Sequence, residues 1–227
     1  MDEPTKPIPE KLPSGRHGLT REAVERSQRD RLLEAMLRAV AENGYLATSV
    51  AEVISRAGVS RATFYEFFKD KEDCYIATFD AYFARHLERI ASAGAQPGSW
   101  AERVRRGISA LLGRLAADPG AARALIVEVN AAGPVARERY RASLHAFMLL
   151  LEEGRAHTGG RELPPNVDRI VVGGADALVF DEIAAGRTEG LPRLLPEILY
   201  SALVPYLGHE AAFAEVSAVK RIEGGLG

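Results

Sequence analysis

Apolar residues recur at helical spacing along almost the whole chain, and no stretch alternates apolar and polar positions with the period of a strand. Leu33, Met36, Leu37 and Val40 stand at i, i+3, i+4 and i+7 and draw one stripe on a helix that runs to about Asn43 and stops at Gly44. Either Thr20 or Ser27 is placed to open it. Ser49 followed by Glu52 has capping-box spacing and opens a short helix whose apolar face is Val50, Val53, Ile54 and Ala57, ended by Gly58. Ser60 then caps a third helix through Arg61, Ala62, Thr63, Phe64, Tyr65 and Phe67, and Asp70 starts a fourth. The pattern predicts three brief helices ahead of a long one.

From Lys71 to about Ala93, Tyr75, Ile76, Phe79, Phe83, Leu87 and Ile90 fall on one side of that long helix. Further helical sets follow around Val104 to Leu115, Leu125 to Val129, and Tyr140 to Leu151, separated by breaks at 94–98, 118–120, 132–134 and 158–165. The last two helices are expected over roughly Asn166 to Arg187 and Pro192 to Tyr206. The fold class is therefore all-α. A tail over 1–19, rich in proline and mixed charge, is expected to be flexible and carries no apolar segment of the kind found in a signal peptide or anchor. A small front domain over 20–70 follows, and then a larger helical bundle over 71–227.

Composition narrows the choice of partner. The chain has 227 residues, 47% apolar and 26% charged, and no apolar run long enough to span a bilayer, so the expected location is cytoplasmic with no membrane contact. One cysteine, Cys74, allows no internal disulfide, and no Cys/His spacing suits zinc; no metal or cofactor is expected. The net charge of −2 places any nucleic-acid contact in a local patch. Residues 11–71 hold eleven Lys/Arg against eight Asp/Glu, a mild positive excess.

Two short helices joined by a tight turn containing glycine form a helix-turn-helix, whose second helix enters the major groove. Gly58 permits the reversal, Val53, Ala57 and Phe64 can lock the helix angle, and Ser60, Arg61, Thr63 and Tyr65 present polar groups outward. The run GYLATSVAEVISRAGVSRATFYEFFKDKEDCY, Gly44 to Tyr75, resembles the amino-terminal signature of the TetR-type repressors. That resemblance covers only the front third of the chain. It implies Ser60, Arg61, Ala62 and Thr63 against bases, Tyr65 and Lys71 against phosphates, and Thr48 and Ser49 at a helix N-terminus that favours a further phosphate. Arg16, His17 and Arg21 could add contacts ahead of the first helix. Phe67 stands where many relatives carry a His or Tyr, so that hydrogen bond to phosphate is lost here.

The resemblance also implies a homodimer that binds double-stranded, palindromic operator DNA through two heads, and a small-molecule effector held in the rear bundle that releases it. Phe79, Phe83, His86, Trp100, Val127, Asn130, Tyr140, Phe147 and Met148 are candidate lining for that pocket, although aromatic residues at helical spacing equally make an ordinary core. His86 and Asn130 are the polar groups among them. An apolar effector is expected. Val167, Ile170, Val171, Gly174 and Leu178, with Leu195, Ile198, Leu199, Ala202 and Tyr206, are candidates for a four-helix interface across the last two helices; the same stripe could pack within its own subunit. The alternatives are a DNA-binding helical dimer without an effector, and an all-α enzyme. For the enzyme there is no HExxH, P-loop, GxSxG or dinucleotide fingerprint, and Asp176, Asp181 and Glu182 share no clear face.

Overall fold

A computed structural model of the protein describes residues 20–94 and 96–224, with the side chains of all of these except 86–91, 93, 94 and 220–224. The tail over 1–19, with Arg16 and His17, lies outside the described residues. Every regular element among the described residues is helical: α1 (Arg21–Asn43), α2 (Val50–Ala57), α3 (Arg61–Phe67), α4 (Lys71–Gly94), α5 (Trp100–Ala117), α6 (Pro119–Ala122), α7 (Pro134–Glu152), α8 (Val167–Ala184), α9 (Leu195–Leu207) and α10 (His209–Gly224). Between α6 and α7 the chain makes a π-helical turn over Arg123–Val127 and a 3-10 turn over Glu128–Asn130.

The local signals explain most of the boundaries. Thr20 rather than Ser27 opens α1, its hydroxyl oxygen accepting from the Ala23 amide at 3.2 Å. The first helix therefore has 23 residues and is not brief, which corrects the expectation of three short helices. Ser99 and Glu102 form a complete capping box at the start of α5. At Ser49 only half of the box forms. Its oxygen accepts from the Glu52 amide, while the Glu52 carboxylate turns to Asn43 and Arg56.

Two buried cores organise the packing. The first gathers Leu32, Met36 and Val40 of α1, Val53 of α2 and Phe64 of α3 with Cys74, Tyr75 and Phe79 of α4, and it continues into Ala124, Leu125, Val129 and Ala136. Packing thus does not break at residue 70; the head is seated directly on the rear bundle. The second core joins α5, α8, α9 and α10 around Trp100, Leu112, Ile183, Leu199, Leu203 and Tyr206.

The end of the chain departs from expectation. α8 stops at Ala184, a 3-10 segment with Pro192 inside it spans Thr188–Leu194, and α10, which was not anticipated, follows α9 after Gly208. Ala212, Val216 and Val219 of α10 join the core that encloses α9. Leu195, Ile198, Leu199, Ala202 and Tyr206 are consequently all buried within their own subunit. The α9 half of the expected dimer stripe is internal core.

Candidate nucleic-acid interface and effector cavity

The turn between α2 and α3 is held by three independent devices. Gly58 adopts a left-handed φ of 62°, a conformation that costs a side-chain-bearing residue roughly 1 kcal/mol. Its amide donates to Ser55 O, and the Val59 amide donates to Ile54 O, the paired bonds of a Schellman end. Arg31, buried in α1, donates through Nη1 to Ala57 O at 2.7 Å and to Gly58 O at 3.4 Å, satisfying carbonyls that the end of α2 leaves open. Phe64 is fully buried beneath α3 and fixes its roll.

That roll decides which side chains face out. Ser60, Arg61, Ala62 and Tyr65 are exposed, and Thr63 is half-buried. Ser60 caps α3 by accepting from the Thr63 amide at 3.0 Å, and its hydroxyl also bonds the Thr63 hydroxyl at 2.8 Å. The Arg61 guanidinium lies 5.5 Å from the centre of the Tyr65 ring, folded back along the helix. Arg29 of α1 and Lys69 just past α3 are exposed cations on flanking elements that sequence reasoning did not single out. Only their positions, on the polar face of α1 and just after the last aromatic of α3, could have flagged them.

Two expected phosphate contacts have internal duties instead. Thr48 is buried, with its hydroxyl donating to Gly44 O at 2.9 Å, so its side chain locks the turn before α2 rather than facing outward. Lys71 is half-buried and donates from Nζ to Tyr45 O at 2.9 Å and Thr48 O at 3.0 Å, its ammonium 4.2 Å from the Tyr45 ring centre. Burial lowers its pKa. Lys71 thus ties α4 to the α1–α2 turn. Ser49, in contrast, is exposed at the N-terminus of α2. Phe67 is half-buried against the first core, so its phenyl ring serves packing.

Behind the head, the bundle holds a cavity of about 180 Å³ walled by α4, α5, α6 with its π-helical turn, α7, α8 and α9. Phe79, Phe83, Tyr140 and Phe147 are among the residues that line it. Phe79 stacks on Phe83 at 5.8 Å and meets the Tyr140 ring edge-on at 6.1 Å. Four other candidates lie elsewhere. Trp100 is core, donating from Nε1 to Leu150 O at 3.0 Å and resting against Tyr206 and His157. Asn130 is exposed and bonds Val127 O, while Val127 and Met148 pack against the second core outside the cavity wall. The His86 side chain lies outside the described residues. Sequence reasoning missed Arg114 and Asp118 and weighed Asp176 only for an enzyme site; these are the charged groups in the wall. Arg114 and Asp176 sit on helix faces whose neighbours are apolar, a signal shared with many surface positions, and Asp118 caps α6.

A polar seam runs from the cavity to the head. Leu125 and Ile126 of the π-helical turn line the cavity, and Ala124 O in the same turn accepts from the Tyr75 hydroxyl at 2.6 Å. Three residues on, Glu128 Oε2 accepts from the Tyr45 amide at 2.9 Å. Tyr45 in turn meets Tyr75 edge-on at 5.1 Å. The turn that precedes α2 is thereby bonded to the segment that walls the cavity.

Comparison with known proteins agrees with this geometry. The model of the tetR family of bacterial regulatory proteins matches residues 32–78, the stretch from α1 into α4. The fatty acid metabolism regulator protein of Bacillus subtilis is 26% identical over 121 residues, covering 53% of this chain and 62% of that protein. The transcriptional regulator AcuR of Cereibacter sphaeroides is 34% identical over 67 residues, 28% of this chain and 31% of its own length. The chain thus spans less than two thirds of the length of the curated relatives it matches. Among solved structures, the fatty acid degradation regulator FadR from Bacillus halodurans superposes with a TM-score of 0.68 at 23% identity, over 77% of this chain and 97% of that one. FadR from Bacillus subtilis, in complex with stearoyl-CoA, gives 0.66 at 22% identity over 78% and 97%. The fold extends beyond the matched segment through the rear bundle, so the chain is similar to the tetR family of bacterial regulatory proteins over residues 32–78 and shares the fold of these solved structures over most of its length.

Proposed function

We propose that the protein is a transcriptional repressor that binds palindromic operator DNA as a homodimer and lets go when a small, largely apolar effector enters the bundle. The observation that carries the DNA-binding part is the outward face of α3, where Ser60, Arg61, Ala62 and Tyr65 are exposed on the second helix of a rigidly capped turn. A bidentate arginine contact to a guanine edge in the major groove is the commonest specific readout, and Arg61 is placed for it. Ser49, with the first amides of α2, supplies a phosphate contact, as do Arg29 and Lys69. In this reading 20–70 is the DNA-binding head and 71–227 the effector and dimer domain.

The dimer reading rests on α8. Ile170 is 72% exposed, and Gly173, Gly174, Ala177 and Leu178 share its outward face. A Cβ added at Gly173 or Gly174 would meet nothing within 4 Å, so the subunit's own packing gives no reason for two helix-weakening glycines there. Close approach of a partner helix supplies one, and in this reading the two-fold contact lies on α8.

The effector reading rests on the cavity and its seam to Tyr45. The cavity volume of about 180 Å³ is slightly larger than the engineered apolar cavity of about 150 Å³ that accepts benzene. A longer chain forces α4, α7 and α8 apart, and that displacement reaches the head through the π-helical turn and Glu128. A relative crystallised with stearoyl-CoA makes acyl-CoA the first effector to try. No catalysis is proposed: Cys74, the only thiol, is buried and its pKa is pushed up to about 12.

The test is selection of binding sites from random duplexes by the full-length protein, followed by addition of acyl-CoAs of increasing chain length to the complex. A palindromic consensus released by one chain class supports the reading. Recovery of no consensus removes the repressor assignment, and a consensus that no acyl-CoA releases removes the acyl effector.

A further inference from the structure

The surface of the cavity is almost wholly apolar, so a ligand can bury a chain there while any charged end must lie outside it. The charges around the wall are unevenly placed. On the α7–α8 side stands Asp176, an acidic corner bonded to the Tyr140 hydroxyl. On the α4–α5 side Tyr82 and Arg114 belong to the wall, and Arg114 Nη2 donates to the Tyr82 hydroxyl at 3.2 Å with its Cζ 5.9 Å from the ring centre. Arg85, one turn further along α4, lies 5.8 Å from the centre of the same ring. It is exposed, its Nε donates back to Ala81 O at 3.3 Å, and no carboxylate pairs with it among the described residues. Arg38 of α1 reaches this corner too, bonded to Glu34 at 2.8 Å and 3.9 Å from Asp118. Asp118 Oδ1 is engaged by the Ala121 amide at the start of α6. Among the described residues the corner therefore sets three guanidiniums against two carboxylates, and a guanidinium resting on an aromatic ring keeps its edge N–H groups for an anion.

We propose that the effector ends in an anion, a phosphate or a carboxylate, and that Arg85 and Arg114 hold it beside Tyr82 while the ligand's chain occupies the cavity. This rests on the reading of the cavity as the effector site and adds the charge of the ligand's head and the side on which it lies. Charge sets the orientation: Asp176 repels an anion from the α7–α8 side, and the arginines attract it to the other. Arg38 is placed to join them, since its long contact with Asp118 is weak. It stands on α1, so the bound anion lies where the DNA-binding head meets the rear bundle.

Calorimetry on the full-length protein tests this with 1-octanol, octanoate, octyl phosphate and octanoyl-CoA, which share a chain length and differ in head. At least one anion should bind about tenfold or more tightly than octanol, and that advantage should shrink as salt rises. An advantage for octanoate assigns a carboxylate, whereas one confined to octyl phosphate or octanoyl-CoA assigns a phosphate. Arg85→Gln, at an exposed position, should weaken the preferred anion about threefold to tenfold while leaving octanol unchanged, and Arg85→Glu should weaken it further. Arg114→Gln should act in the same direction, and the Arg85 variants carry the test if it does not fold. An anion advantage that Arg85→Gln leaves intact, or octanol binding as tightly as all three anions, overturns the inference while leaving the cavity an effector site. Failure of all four probes at millimolar concentration overturns both.

Discussion

Replacing Arg31 with methionine tests how the reading head is held. Arg31 is 9% exposed, and its Nη1 bridges α1 to the last carbonyls of α2. Two opposing quantities set the outcome. A hydrogen bond from a charged donor contributes about 1.5–3 kcal/mol; the 2.7 Å bond to Ala57 O is of that kind, and the 3.4 Å contact to Gly58 O adds little. Against this, the guanidinium is buried with its Nε bonded to nothing, and an incompletely satisfied buried charge is costly. Methionine has similar helix propensity and fills most of the stem's volume, so neither term is obscured by a cavity. The Ala57 carbonyl, left enclosed, should make the loss prevail, by about 1–2 kcal/mol. At roughly 2–4 °C per kcal/mol for a chain of this length, Tm falls by about 2–8 °C. DNA affinity should fall further than stability does, because the angle of α3 depends on this tie. Thermal unfolding by circular dichroism, with anisotropy on labelled operator, reads both. An unchanged or higher Tm would show that the buried charge costs more than its bonds return and that Gly58 and the Schellman bonds hold the turn unaided.

Other substitutions probe the remaining joints. Gly154→Ala places a Cβ 2.4 Å from Trp100 and 2.7 Å from Tyr206, both buried rings, and should cost about 3 kcal/mol or more in urea unfolding; a cost under about 1 kcal/mol contradicts the packing described. Glu128→Ala removes the acceptor of the Tyr45 amide and should speed hydrogen exchange in the turn before α2 while α9 is unaffected, so unchanged exchange there would break the seam. Cys74, its pKa held near 12 by burial, stays protonated at pH 8 and should resist a disulfide reagent until the protein unfolds; rapid labelling of the native state would contradict its burial. Gly174→Leu meets open space in the subunit and should leave the monomer fold intact while weakening association at least tenfold by sedimentation; an unaltered dimer would move the interface off α8.

The front third of the chain was legible because its punctuation is local. Thr20, Ser49, Gly58 and Ser60 each act within a few residues of themselves, so their caps and turn could be inferred from spacing. Roles settled by tertiary partners could not. Thr48 and Lys71 read as DNA contacts until the fold turned them onto Gly44, Tyr45 and Thr48 carbonyls, and Arg31 looked like any helix arginine until α2 arrived above it. In the rear bundle Phe79 and Trp100 have the same apolar character in sequence. Only the helix arrangement makes one a cavity wall and the other core. α10 escaped notice because it restarts immediately after Gly208 and carries exposed alanines and a phenylalanine among its positions, which blurs its apolar stripe, and it joins α5 and α8 in burying α9.

The central claim is that α3 reads DNA, and a salt titration of wild type and Arg61→Ala on the selected operator and on a scrambled duplex tests it most directly. Wild type should prefer the operator by about a thousandfold or more, with affinity falling steeply as salt rises. Arg61→Ala should lose about 1–3 kcal/mol of that discrimination while binding scrambled DNA with little change. Equal affinity of wild type for the two duplexes, or an equal loss on both from Arg61→Ala, would contradict it.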